Sequence, residues 1–246
     1  MQNSENNRYL YAGDTGIFVT FDDHDESDAL LLARQLGHLI RGERQLNGVI
    51  DVTPGLKNLL IHYDPLETSF DAIIHAVSDM LDDLTPNDDG RARHWTLPVL
   101  YGGEAGPDLK EVADASGLHP DDVIKAHTDA SLTVAIMGFL PGLAYMKGVH
   151  TSLYMPRKSS PRAHVPDRSV GIAMDQTVIY PLASPGGWNL IGRTPVHPFD
   201  PARKDPILFT AGDVVSFTAI DGKTFDDMDT ASSHGEMVIT PMEKAD

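Results

Sequence analysis

Residues 184–195, SPGGWNLIGRTP, place a proline and two glycines ahead of a tryptophan and close on Arg-Thr-Pro. Pro185 fixes φ while Gly186 and Gly187 admit backbone angles that a side chain forbids, so the run is a shaped turn. Trp188 then brings a large apolar body with an N–H that needs a partner, and Arg193 a planar fork suited to carboxylate or phosphate. The stretch is either a tight barrel corner or a wall for a ligand. Its surroundings are all-β from residue 131 onward. SLTVAIMGF, SVGIAM, TVIYPL, NLIGRTP, ILF and DVVSFTAI are short apolar runs separated by Pro and Gly, as in a closed or nearly closed barrel.

Upstream the signals alternate. TGIFVTF (15–21) puts Ile17, Val19 and Phe21 on one side of a strand. DESDALLLARQLGHLIRG opens with acids in its first turn, spaces Leu32, Leu36, Leu39 and Ile40 along one helix face and stops at Gly42. GVIDVTPG and KNLLIHYDP read as two strands joined at Pro54-Gly55, and TSFDAIIHAVSDML as a second helix. With HWTLPVLYG as the last strand, the order β-α-β-β-α-β predicts a ferredoxin-like domain. The fold class is therefore α+β, with domains at 1–90 (94–100 the candidate last strand) and 91–246. Residues 82–92 read as a linker, 108–129 as two short helices, and the acidic stretch from about 224 as a fraying tail.

The chain has 246 residues, 36 acids against 19 bases and no cysteine. A formal charge of -17 argues against nucleic acid and anionic membranes as partners. The absence of cysteine excludes disulfides, thiolate nucleophiles and Cys-based zinc sites. No signal-peptide pattern or membrane-span window occurs, and the expected location is the cytoplasm. The charge is uneven: residues 1–90 carry 17 acids and 5 bases, whereas residues 156–205 carry seven bases and four acids. Such a basic island would focus a small anion; the plainer alternative is pairing with the acidic first half.

Several motifs fail on spacing. Gly222-Lys223-Thr224 lacks the first P-loop glycine, since Phe217 stands five positions earlier. NDDG (87–90) lacks the first and twelfth ligands of a calcium loop, Ser184 lacks a nucleophile elbow, and the eleven histidines show no H-E-x-x-H pair, so no metal is expected.

Three stretches combine backbone constraint with polar chemistry: GFLPGLAYM (138–146), PRKSSPR (156–162) and SPGGWNLIGRTP. Together with HPDDVIKAHT (119–128), VPDRSVGIAMDQTVIYP (165–181), RYLYAGDTGIFVTF and NLLIHYDP, they resemble the KipI and allophanate hydrolase subunit 1 family, also called carboxyltransferase domain subdomain C and D. The resemblance spans about Arg8 to Ile220. It implies a ferredoxin-like domain followed by a cyclophilin-like β-barrel, and the role of the B component of an ATP-dependent 5-oxoprolinase, which opens the lactam of 5-oxo-L-proline to glutamate. It also implies a subunit 2 (KipA or PxpC) type partner, a LamB/YcsF-like (PxpA-type) subunit, and ATP with Mg at the level of the complex. The alternatives within the family are a KipI-like inhibitor of a histidine kinase and an allophanate hydrolase or urea-carboxylase-like component.

The residues suit such a task. Arg157 and Arg162 lie five apart across a Ser-Ser-Pro turn and can address one carboxylate or phosphoryl group, with Arg193 a third cation. Gly142, Gly186 and Gly187 let backbone N–H groups approach an anion, while Tyr145, Tyr180, Gln176 and Trp188 would line the site. His127 is the candidate proton shuttle, with Arg162 the other catalytic candidate. Each has a structural counterpart: arginines that bond loop carbonyls, a tryptophan packed in the barrel, a core histidine, ordinary strand residues. The chain departs from the family pattern at Arg168 and across Ala173-Met174-Asp175-Gln176, where glycine is usual, at Val178, and at Leu143, where an aromatic is usual. Side chains at glycine positions would alter a turn or narrow a mouth.

Overall fold

The computed structural model describes residues 8–42, 44–86 and 92–241. The chain divides into two compact units, Met1–Arg91 and Ala92–Asp246.

In the first unit, β1 (Tyr9–Tyr11), β2 (Gly16–Thr20), β3 (Val49–Pro54) and β4 (Asn58–Tyr63) form an antiparallel sheet in the order β1-β2-β4-β3. Two helices, α1 (Glu26–Arg41) and α2 (Phe70–Leu81), complete it. Asp25 and Ser69 start them, each side chain accepting a bond from a first-turn N–H, at 2.9 Å from Asp28 and 3.2 Å from Ala72. The alternating Ile17, Val19, Leu59 and Ile61 are fully buried against Leu32, Leu36, Ile40, Ile73 and Val77.

The expected last strand of this sheet is not there. The edge beside β2 is taken by β1, with Tyr9 opposite Val19 and Tyr11 opposite Ile17. Residues His94–Tyr101 instead form β5 of the second unit, parallel to β13 (Val214–Ala219) from His94↔Val214 to Val99↔Ala219. Trp95, Leu97 and Val99 are buried in the core of that unit, which fixes the choice. Residues 87–91, which include the rejected calcium-loop motif and part of the expected linker, lie outside the described residues.

Five further strands join β5 and β13: β6 (Leu132–Met137), β7 (Ala144–Lys147), β9 (Ser169–Ala173), β10 (Gln176–Ile179) and β12 (Asn189–Arg193). Together they close into a barrel in the order β10-β7-β6-β13-β5-β12-β9. A separate two-stranded ribbon pairs β8 (Arg162–Val165) with β11 (Ser184–Gly186), so the Pro-Gly-Gly turn belongs to this ribbon and leads into β12. Helices α3 (Leu109–Ser116) and α4 (Pro120–Thr128) fall where expected. ILF (207–209) is not a strand; Ile207 makes only an isolated bridge to Phe199.

The tail also differs from the expectation. Gly222–Ser233 form α5, started by Asp221, whose carboxylate accepts from the Thr224 N–H at 2.7 Å. One buried phenyl, Phe225, and an ion pair from Asp229 to Arg168 hold it. A single apolar anchor gives too little periodicity to reveal such a helix. Two of the glycine-position departures have a visible backbone consequence: Arg168 (φ 61°) and Met174 (φ 54°) stand in the left-handed region. Each such residue costs roughly 1–2 kcal/mol relative to glycine. Arg168 recovers part of this through its pairs with Asp167 and Asp229. Among the described residues, no helix is long and apolar enough to cross a membrane.

Candidate functional site

The ribbon and the end of β10 bring together most of the residues singled out in the sequence. Tyr180, just past β10, is buried, and its hydroxyl occupies the space a side chain at position 186 would need: a Cβ on Gly186 would stand 2.1 Å from Tyr180 Oη. The glycine is there for a close approach, not for a left-handed φ. Burial, and then Tyr145, push the Tyr180 phenol up to about 12, against the opposing pull of Arg157, the Trp188 N–H and Arg162, so it stays a protonated donor at neutral pH.

Trp188 is buried in a small apolar cluster with Leu143, Val165, Val178 and Leu190. Tyr145 packs against it at a centroid distance of 5.8 Å, and the Arg157 guanidinium lies 5.2 Å from the indole centroid. Trp188 is thus both the packed residue and the floor under a cation. Arg157 itself is exposed and pairs with no carboxylate among the described residues.

Arg162 is held by a residue that sequence reasoning missed. Asp108, one position before α3, reads as a helix cap but makes no side-chain capping bond. Its buried carboxylate instead accepts from Arg162 Nη2 at 2.6 Å and from the Leu190 N–H at 2.7 Å, with Lys158 Nζ at 3.2 Å. Burial pushes this carboxyl up, but the bonds from Arg162, Leu190 and Lys158 outweigh it and hold the group below the usual carboxylate range. Lys158 also pairs with Glu111 at 2.8 Å, the main reason its ammonium is pushed up. Asn189 donates to the Pro156 carbonyl at 2.9 Å and Lys158 N–H to the Gly187 carbonyl at 2.8 Å, so the PRKSSPR loop is fastened to the start of β12. Nothing local marks Asp108 as buried: in the sequence it is one more acid at the start of the amphipathic helix LKEVADAS.

Other candidates stand elsewhere. Arg193 donates to Asp167, from Nε to its carbonyl at 3.0 Å and from Nη2 to its carboxylate at 2.8 Å, in a network with Arg168 and Asp229. It does not reach the Arg157–Arg162 pair as a third cation. His127 is fully buried, bonded through Nδ1 to the Tyr101 hydroxyl at 2.7 Å and through Nε2 to Thr177 at 3.1 Å, and stacked on Phe217 at 4.5 Å. Burial lowers its pKa to about 3, so it is a neutral core imidazole and no shuttle for a proton from solvent. Gln176 is buried at the other end of β10, opposite Lys147 and Ala173. Gly142 (φ 80°) turns the β6–β7 loop, and its absent Cβ leaves room for Pro198 and Phe199, both 2.9 Å from that position. The structure therefore unites Tyr145, Arg157, Arg162, Tyr180, Gly186, Gly187 and Trp188; Arg193, His127 and Gln176 have other partners, and Gly142 adjoins Leu143 of the same apolar cluster.

This cluster is rich in donors. Arg157, Arg162 and the Tyr180 O–H are its donors, and the carboxylate bonded to one of them among the described residues is Asp108, on Arg162. Among the described residues no group of three His, Asp or Glu side chains converges to hold a metal ion.

Comparison with known sequences gives a match to the family described as carboxyltransferase domain, subdomain C and D, over residues 7–209. The chain belongs to that family. Within the subdomain C and D family it is similar to the B subunit of 5-oxoprolinase from Bacillus subtilis (strain 168), 35% identical over 223 residues, covering 87% of this chain and 92% of the relative. Its fold is similar to the crystal structure of TTHA0988, with 35% identity and a TM-score of 0.73 over 84% of this chain; it spans 40% of that longer chain. It is also similar in fold to Kluyveromyces lactis urea carboxylase, at 19% identity and a TM-score of 0.75, covering 96% of this chain and 24% of that protein.

Proposed function

We propose that this chain is the B component of an ATP-dependent 5-oxoprolinase, and that Arg157, Arg162 and Tyr180 hold the carboxylate of 5-oxo-L-proline while its lactam is opened to L-glutamate. The observation that carries the reading is the Arg157 guanidinium, seated on Trp188 without an acidic partner among the described residues, beside a second arginine fixed by Asp108. The family membership and the Bacillus subtilis relative support it. In finer terms, the first unit is ferredoxin-like with β1 in the place of the last strand, the barrel is cyclophilin-like, and the protein works in the cytoplasm.

An unstrained lactam carbonyl is a poor electrophile. Transfer of the γ-phosphoryl of ATP to the lactam oxygen would release ADP and activate the carbonyl carbon; one water would then add at that carbon and the C–N bond break to give γ-glutamyl phosphate, and a second water would hydrolyse this acyl phosphate to glutamate and phosphate. Fixed guanidinium and phenol donors would orient the substrate's carboxylate through these steps. Mg–ATP is assigned to the complex formed with a KipA/PxpC-type subunit and a LamB/YcsF-like subunit.

Co-expression with these partners and measurement of ATP-dependent glutamate release from 5-oxo-L-proline tests the proposal. Activity requires the chain. A fully active assembly lacking it removes the reading.

A further inference from the structure

Lys158 is half-buried in an otherwise exposed stretch, with Arg157, Ser159 and Ser160 around it facing solvent. Lysine heads are seldom drawn inward without a partner, and this one has two. Its Nζ stands 3.2 Å from Asp108 Oδ1 and 2.8 Å from Glu111 Oε2. Both acids come from the start of α3, Asp108 just ahead of the helix and Glu111 in its first turn. Asp108 Oδ1 is also the oxygen that takes Arg162 Nη2, at 2.6 Å, so two cations meet at one atom, while Oδ2 is occupied by the Leu190 N–H.

The charges around Arg162 are therefore unequal. Asp108 and Arg162 alone would make a closed pair, in which the carboxylate cancels the guanidinium and leaves a ligand little to attract. With Lys158 on the same oxygen, one buried negative charge is divided between two positive ones, and a surplus positive charge stays beside Arg162. Charges this close and this sheltered from water act on one another strongly. Glu111 offsets part of the surplus from outside. Its side chain is 62% exposed against 5% for Asp108, so water and salt weaken it and the imbalance persists inside.

We propose that Lys158 is a positioning residue that keeps Arg162 electrostatically open to a ligand's carboxylate, with Glu111 as the surface acid that limits the effect. The role rests on the carboxylate-binding reading above and adds to it two residues that have no place there. Lys158 does not touch the ligand; it acts through Asp108, by holding that carboxylate between two cations. The ligand class follows from the surplus charge: a small anion with one carboxylate answers it, whereas a neutral amide such as urea does not.

The test is calorimetric titration of the full chain with 5-oxo-L-proline, acetate and urea, together with melting temperatures. The proteins are the native chain, Lys158→Met, Lys158→Arg, Glu111→Gln and the double variant Lys158→Met/Glu111→Gln. The expected result is binding of 5-oxo-L-proline but not urea, weakened about five- to tenfold in Lys158→Met by the loss of a nearby, partly screened charge. Lys158→Arg, which keeps the charge, restores most of that affinity. Glu111→Gln tightens binding about twofold, less at high salt, and has no effect in the Lys158→Met background, because it acts through the ammonium. Its melting temperature stays within about 2 °C of the native value, since the pair it breaks is exposed. A Lys158→Met protein that melts several degrees lower and binds with native affinity overturns the role, since the lysine then only fastens the loop. A Glu111→Gln effect of equal size with and without Lys158 also overturns it. Where Lys158→Met does not fold, unchanged affinity in Glu111→Gln at low salt overturns it. Acetate binding that falls in Lys158→Met, with no binding of 5-oxo-L-proline, leaves the role standing and removes the 5-oxoprolinase reading. Failure of both carboxylates to bind overturns the role, while glutamate release by the complex decides the functional reading separately.

Discussion

Replacing Asp108 with asparagine attacks the one contact that fixes Arg162 while leaving the shape of the side chain almost unchanged. The native carboxylate takes Arg162 Nη2 at 2.6 Å, the Leu190 N–H at 2.7 Å and Lys158 Nζ at 3.2 Å, in a setting where its side chain is only 5% exposed. Asparagine keeps one acceptor oxygen and turns an amide N–H₂ toward the remaining donors. Lys158 retains Glu111, but Arg162 is left charged, with Nη1 already unpaired. Removing one partner of a buried ion pair costs about 3–5 kcal/mol, which for a unit of this size lowers the melting temperature by roughly 6–20 °C. Linkage gives a second signature. The folded carboxyl is held below its unfolded value, so its stabilisation is present above the ordinary aspartate range and is lost as pH falls through the lowered folded value. Scanning calorimetry from pH 7 into acid should therefore show a gap between native and Asp108→Asn proteins that closes below about pH 4. A variant that melts within about 2 °C of the native protein, or a gap that persists unchanged into acid, refutes the role given to Asp108.

His127 gives the opposite kind of test. Burial holds its folded pKa at about 3, below the unfolded value near 6.5, so the unfolded chain binds the proton more readily. Stability should be full above about pH 6.5 and fall by up to about 1.4 kcal/mol per unit as pH drops below it; His127→Gln removes that slope, as pH-dependent denaturant melts will show. Gly186→Ala drives a methyl to within 2.1 Å of Tyr180 Oη and should cost about 1–3 kcal/mol by overpacking. Adding Tyr180→Phe should recover part of that loss in urea unfolding, and only part, because Tyr180 Cζ still stands 2.8 Å from the new carbon.

Much of this molecule is legible in its sequence because its core strands and helices keep their periods. The alternation in TGIFVTF and NLLIHYDP and the 3.6-residue spacing of α1 and α2 correspond to buried faces in the structure. What escapes is short or unperiodic. Tyr9–Tyr11 is three partly exposed residues, and it takes the sheet edge that the β-α-β-β-α-β order assigns to 94–100. Strand β5 carries the same hydrophobic signal in either sheet, and only long-range pairing with β13 assigns it.

At the site, residue type foretells more than position does. The arginines, tyrosines and tryptophan around the ribbon stand out for their chemistry and do meet there. Arg193 has the same chemistry but is claimed by Asp167, 26 positions away in the chain, and nothing in its own neighbourhood signals that pairing. Asp108 stays hidden because its role depends on what lies across the fold: it is a buried acid whose partners are 54 and 82 positions away.

Arg157 offers the most direct measurement, since it is exposed, makes no ion pair among the described residues, and touches the fold chiefly through the face of Trp188. Titration calorimetry with 5-oxo-L-proline should show Arg157→Gln binding at least about tenfold more weakly than the native chain, with the melting temperature unchanged within about 2 °C. Equal affinities in two equally stable proteins would contradict an anion seat at this position.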